Sequence, residues 1–160
     1  MRRGKVPSTG RSDAQRAMAR GAEPVGSVSN LPEPEKRLLR CLRLWMAEHD
    51  YQEQIWTILT NALGPLQARS ELRVFDAYMA NVAGSIDRQI ARHGVYCDCL
   101  GRDEATLLAI VRMAAAGDRS AAIDHATNLV REDRRDPVVD AAEWLGQTMD
   151  PADIRTTTMQ

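Results

Sequence analysis

From Leu38 to Leu145 the large apolar residues recur at spacings of three and four, and nowhere do they alternate with polar ones over the length of a strand. A 3.6-residue repeat gives an α-helix one apolar face, whereas a half-buried strand needs a repeat of two. Leu38, Cys41, Leu42, Trp45 and Met46 form a first such face behind Leu31-Pro32-Glu33-Pro34, where proline and acids suit a helix N-terminus. Asp50 and Glu53 have the spacing of a capping box and open a second helix with Tyr51, Ile55, Ile58, Leu59 and Ala62 inward, ended by Gly64-Pro65. The spacing of Leu72, Phe75, Met79, Val82, Ile86, Ile90 and His93 predicts a long third helix running to His93, with Gly94 at its cap. Asp103 can cap a fourth helix bearing Leu107, Ile110, Val111 and Ala114, and Asp118 a fifth bearing Ala122, Ile123, Ala126, Leu129 and Val130. Asp136-Pro137 opens a sixth, with Val138, Ala141, Ala142 and Leu145 inward. The expected class is therefore all-α: a single bundle of about six helices in antiparallel hairpins over residues 31–149.

The two ends of the chain read differently. Residues 1–30 hold Gly, Ser, Pro and Arg with few large apolar groups, too little to offset the entropy of ordering, and predict a disordered basic arm. Residues 150–160 read as a frayed tail. Six basic residues face two acidic ones in the first 30, against 15 and 20 in the remainder, and the net charge is −1. Such a balance offers no global attraction for nucleic acid or an anionic membrane. A tight turn between the first two helices suggests a DNA-reading pair, but the second carries no Arg or Lys for phosphates or guanine edges. No run approaches the roughly 18 apolar residues of a membrane span, and Arg2-Arg3 is not followed by a signal-peptide core. Three cysteines without a disulfide framework suit a reducing cytoplasm, and the excess of 19 Arg over 2 Lys suggests a bacterial coding bias.

The chemistry concentrates between His93 and Glu104, where the chain gathers a histidine, two cysteines and three acids. His93, Cys97 and Cys99 supply imidazole and thiolate, the donors that hold zinc tetrahedrally, and Cys41 would complete the set by pinning the first helix to the third. His49, His125, Asp98 and Asp103 are the other candidates for a fourth ligand. The spacing His93-x3-Cys97-x-Cys99 partly resembles the His-x3-Cys-x2-Cys motif of the zinc-binding anti-sigma domain, a small helical bacterial module. The likeness spans His93 to Cys99, with one residue between the cysteines where the family has two, and it implies zinc on a helical scaffold.

Two other readings stand beside the metal. Cys97 and Cys99 can form a strained disulfide and act as a thiol redox sensor, or both can be inert residues of a plain protein-binding scaffold. No glycine-rich phosphate loop, nucleophile elbow or HExxH motif is present. Asp103 and Glu104, adjacent at a helix start, read as capping residues, and Arg37, Arg40 and Arg43 as a solvated stripe. The sequence thus points to a non-enzymatic interaction or regulatory protein with a protein partner, and with a zinc-type site at His93, Cys97, Cys99 and Cys41.

Overall fold

The computed structural model describes residues 12–47 and 51–149. The expectations placed on residues 1–11, His49, Asp50 and 150–160 lie outside the described residues. In order, the elements are α1 (Asp13–Gly21), β1 (Pro24–Ser27), α2 (Glu33–Met46), α3 (Tyr51–Leu63), α4 (Pro65–Ala83), β2 (Cys99–Gly101), α5 (Arg102–Ala115), α6 (Arg119–Ala126) and α7 (Arg135–Met149), with 3-10 turns at Val28–Asn30 and Glu132–Arg134. The helical class is borne out, and α2 to α7 follow the apolar faces read from the sequence, with two exceptions. Helix α4 stops at Ala83, and α6 stops at Ala126, which leaves Leu129 and Val130 of the expected fifth helix in the turn that follows.

Helix α5 lies at the centre, with Leu107, Leu108, Ile110 and Val111 buried. It packs on α6 and α7, while α4 packs on α7 and on α3, and α3 on α2. Its crossing with α7 is close because Gly146 has no side chain: a Cβ there would stand 2.4 Å from that of Ala115. Tyr78 of α4 is fully buried and donates its hydroxyl to the Leu107 carbonyl at 2.9 Å, so its one polar atom is satisfied in the core. Two turns require glycine, Gly64 before Pro65 and Gly117 before the Asp118 cap, both in the left-handed region at φ 78° and 77°. Asp118 accepts from the Ala121 amide, as its expected capping role requires.

Two departures from the expected architecture matter for function. The first is a short antiparallel sheet: β1 pairs with β2, with Pro24 opposite Gly101, Gly26 opposite Leu100 and Ser27 opposite Cys99, and an irregularity between Pro24 and Gly26. Three or four residues per strand are too few to show alternation, which is why the pattern is silent in the sequence. The sheet and α1 also occupy part of the stretch whose composition predicts a disordered arm. Ser12 and Gln15 close a capping box around the start of α1, a local signal that bulk composition hides.

The second departure is that α4 stops at Ala83, ten residues before His93. Residues 84–98 form an irregular connection, although Ile86 and Ile90 still pack against the core. Ser85 caps the end by donating its hydroxyl to the Asn81 carbonyl, and its own carbonyl accepts from the Arg131 amide at 2.9 Å. Beyond it, buried carboxylates of α5 take the backbone amides that a continuing helix would need. Ala91 donates to Asp103 at 2.9 Å and His93 to Glu104 at 3.0 Å. The apolar period persists, but a charge-assisted bond to a buried carboxylate is stronger than the neutral helical bond it replaces.

Candidate functional site

The site is the run from His93 to Glu104, and one buried cation fixes its geometry. Arg43 of α2, 1% exposed, is among the largest fully buried side chains. The sequence places it on a solvated stripe; in the structure it turns inward and forms two parallel hydrogen bonds to Glu104, Nε to Oε1 at 2.7 Å and Nη2 to Oε2 at 2.9 Å. Its remaining donors reach the carbonyls of Cys97 and Cys99, each at 2.7 Å. A guanidinium is a planar fork that cannot lose its proton, so it suits a buried position needing several fixed donors.

Of the two acids expected to cap α5 only Glu104 does so. Gly101 is the N-cap residue, and Asp103, inside the first turn, gives its carboxylate to Arg88 and the Ala91 amide instead. Glu104 keeps the expected capping bond, accepting from the Gly101 amide at 3.0 Å, but it is also fully buried against Arg43 and the His93 amide. Burial pushes its carboxyl up; the bonds from Arg43, Gly101 and His93 outweigh that, and its pKa lies below the ordinary value. Asp103, 3% exposed, accepts both guanidinium nitrogens of Arg88, at 2.6 and 2.9 Å. Gly21 of α1 lies against this carboxylate, and a Cβ on it would come within 2.2 Å of Asp103 Oδ2.

On the outer side of this frame lie the thiols. Cys97 is half-buried and Cys99 exposed, and both are free. Both carbonyls face one guanidinium across a single intervening residue, with Cys97 at the end of a turn closed by its amide on the Gly94 carbonyl and Cys99 opening β2. One residue separates the two thiols, and the neighbouring Cys97 sulfur raises the Cys99 pKa. Asp98 lies between them. It accepts from the Ser27 hydroxyl and, at 3.0 Å, from the Ser29 amide, and these bonds lower its pKa.

The four residues proposed as zinc ligands are distributed rather than gathered. The His93 imidazole turns to the Ala22 carbonyl, with Nε2 at 2.8 Å from the oxygen. Cys41 is two residues from Arg43 on α2, hence on the other side of that helix, and is buried beside Glu71. Burial, followed by the charge of Glu71, pushes its thiol up to about 12. Cys97 and Cys99 alone of the set stand side by side. Among the described residues no group of three or more His, Cys, Asp or Glu is placed to hold a metal ion. His125 lines a groove of about 910 Å³ between α1 and α5, where Arg102 is paired to Glu23 and Arg112 to Glu35.

No protein-family model, curated protein or solved structure matches this chain. No helix among the described residues is long and apolar enough to cross a membrane. Function therefore has to be argued from the site itself.

Sequence reasoning missed Arg43, Arg88, Asp103 and Glu104 as the residues that organise this site. Arg43 carried one signal: it is flanked in sequence by Leu42 and Leu44, and its position on α2 borders the apolar face. Its partner lies 61 residues away, which no local pattern announces.

Proposed function

We propose that this is a non-enzymatic, thiol-regulated helical interaction protein whose switch is the Cys97–Cys99 pair. The observation that supports it is two free thiols one residue apart, one half-buried and one exposed, on a backbone whose two carbonyls are held by a single buried arginine. Proximity replaces a bimolecular encounter with an intramolecular one, which favours closing a disulfide over stopping at a mixed disulfide. A reducing compartment such as the cytoplasm would hold the pair as dithiol and let an oxidative episode close it. Tyr96, 91% exposed beside the pair, presents an aromatic ring to a protein partner at the point where the switch acts.

The test is thiol titration of the native protein, with and without chelator, alongside elemental analysis. Two thiols reacting readily, no bound metal and an unreactive third thiol at Cys41 are the expected result. Stoichiometric zinc that shields Cys97 and Cys99 until chelator is added would replace this reading with the metal site. Unreactive Cys97 and Cys99 without metal would leave a plain scaffold.

A further inference from the structure

Residues 12–31 hold to the rest of the protein through a narrow set of bonds. Among the described residues, every hydrogen bond from this segment to a distant part of the chain ends between His93 and Arg102. Ala22 O meets His93 Nε2, Glu23 O accepts from the Arg102 amide at 2.9 Å, and the Val28 amide donates to Asp98 O at 2.8 Å. Ser27 and Ser29 bind the Asp98 carboxylate, Arg102 pairs with Glu23, and the β1–β2 ladder places Ser27 opposite Cys99. Apolar anchoring is slight: Gly21 is the one buried residue of the segment, and Val28 and Leu31 pack against the core only in part.

We infer that closing the Cys97–Cys99 disulfide releases residues 12–31 from the body of the protein, so that this segment is the moving part the thiol pair controls. The inference rests on the dithiol reading above and adds what the switch moves. Even in an extended chain residues i and i+2 lie only about 6.5 Å apart at Cα, within the roughly 4.4–6.8 Å that a disulfide spans. Bringing the two Cβ atoms to about 3.8 Å draws the chain in across Asp98. That motion displaces the Asp98 carboxylate and carbonyl and breaks the alignment of Cys99 with Ser27, the contacts on which the segment depends. Helices α4 and α7 share none of these bonds, α5 shares only those of its first residue, Arg102, and all three stay packed.

The chemistry is a two-step exchange with a small disulfide such as oxidised glutathione. The thiolate of one of the two cysteines attacks one sulfur of the reagent, forming a mixed disulfide and expelling one thiolate. The other cysteine then attacks the protein sulfur of that mixed disulfide, forming the internal bond and expelling the second. The protein pair is oxidised by two electrons, the reagent is reduced to two thiols, and the two protein protons end on the expelled sulfurs.

The full-length chain is incubated with oxidised glutathione or with dithiothreitol, the thiols are counted, and amide hydrogen exchange is followed for residues 12–31 and for α4, α5 and α7. The expected result is loss of two thiols per chain and exchange at 12–31 faster by about tenfold or more, with the three helices unchanged. Cys97→Ser/Cys99→Ser shows no response, and Asp98→Ala speeds exchange at 12–31 in the reduced protein. Two thiols lost with 12–31 unchanged would overturn the release while leaving the dithiol reading standing. Thiols that survive the oxidant would overturn both. Faster exchange throughout the helices, or an equal response in the double serine variant, would also overturn the release, because the change would then be global or independent of the pair.

Discussion

Arg43 and Glu104 show what a buried charge does for a site of this kind. A fully buried pair of ions gives weak evidence of net stabilisation, because both ions lose their hydration, yet removing one partner leaves the other uncompensated. Arg43→Met should therefore destabilise the protein by about 3–5 kcal/mol, measured by urea unfolding. Arg43→Met/Glu104→Leu should recover only the part due to the uncompensated Glu104 charge, because the Cys97 and Cys99 carbonyls and the His93 and Gly101 amides lose their partners too. Two acids should also respond to pH in opposite directions. Glu104 has a lowered pKa in the folded state, so its contribution is complete above the ordinary carboxyl range and is lost as acid protonates it. Glu71 of α4 is 2% exposed and has one oxygen without a partner; burial raises its pKa against the opposing effect of Arg37. A carboxyl that holds its proton more tightly when folded lowers stability as pH rises from the ordinary 4.5 through its own value. Glu71→Gln should accordingly be more stable than the parent at pH 7, with the advantage shrinking toward pH 4 in thermal unfolding. A constant difference across that range would contradict the assignment.

At the scale of elements, close approaches decide how helices meet. Gly146→Ala should cost about 1–3 kcal/mol by forcing α7 from α5, and Ala115→Gly in the same chain should restore most of it, as urea midpoints would show. Gly21→Ala should act locally, displacing Asp103 and loosening α1 without unfolding α4 or α7, visible as faster amide exchange confined to the N-terminal segment. The helical class was legible because α2 to α7 each carry an apolar face of several turns, and Asp118 caps where its position predicts. The end of α4 was not legible. Ile86 and Ile90 keep the helical period after the helix has stopped, because they still face the core while Asp103 and Glu104 draw off the amides of Ala91 and His93. Neither β1 nor β2 is long enough to show a period, and their pairing joins residues more than 70 positions apart.

For the molecule as a whole, the local composition of the His93–Glu104 run was informative and its three-dimensional roles were not. Cys97 and Cys99 stand together as their adjacency allows, whereas His93 is bonded to Ala22 and Cys41 sits beside Glu71 on another side of α2. Ligand type can be read along a chain; convergence cannot, because it depends on where each helix ends and which face it buries. The resulting arrangement is a helical body, a frame of two ion pairs, Arg43–Glu104 fully buried and Arg88–Asp103 partly so, and two thiols over that frame beside the attachment of the N-terminal segment. Its central claim is that the two thiols act as one unit. Equilibrating the full chain across a series of reduced-to-oxidised glutathione ratios, with the redox state read by mass after rapid alkylation, tests this most directly. Cys97 and Cys99 should convert together in a single reversible two-electron transition, with loss of two hydrogens, no accumulated mixed disulfide and Cys41 unmodified. Accumulation of a glutathione adduct on either cysteine, or no transition across the series, would contradict it.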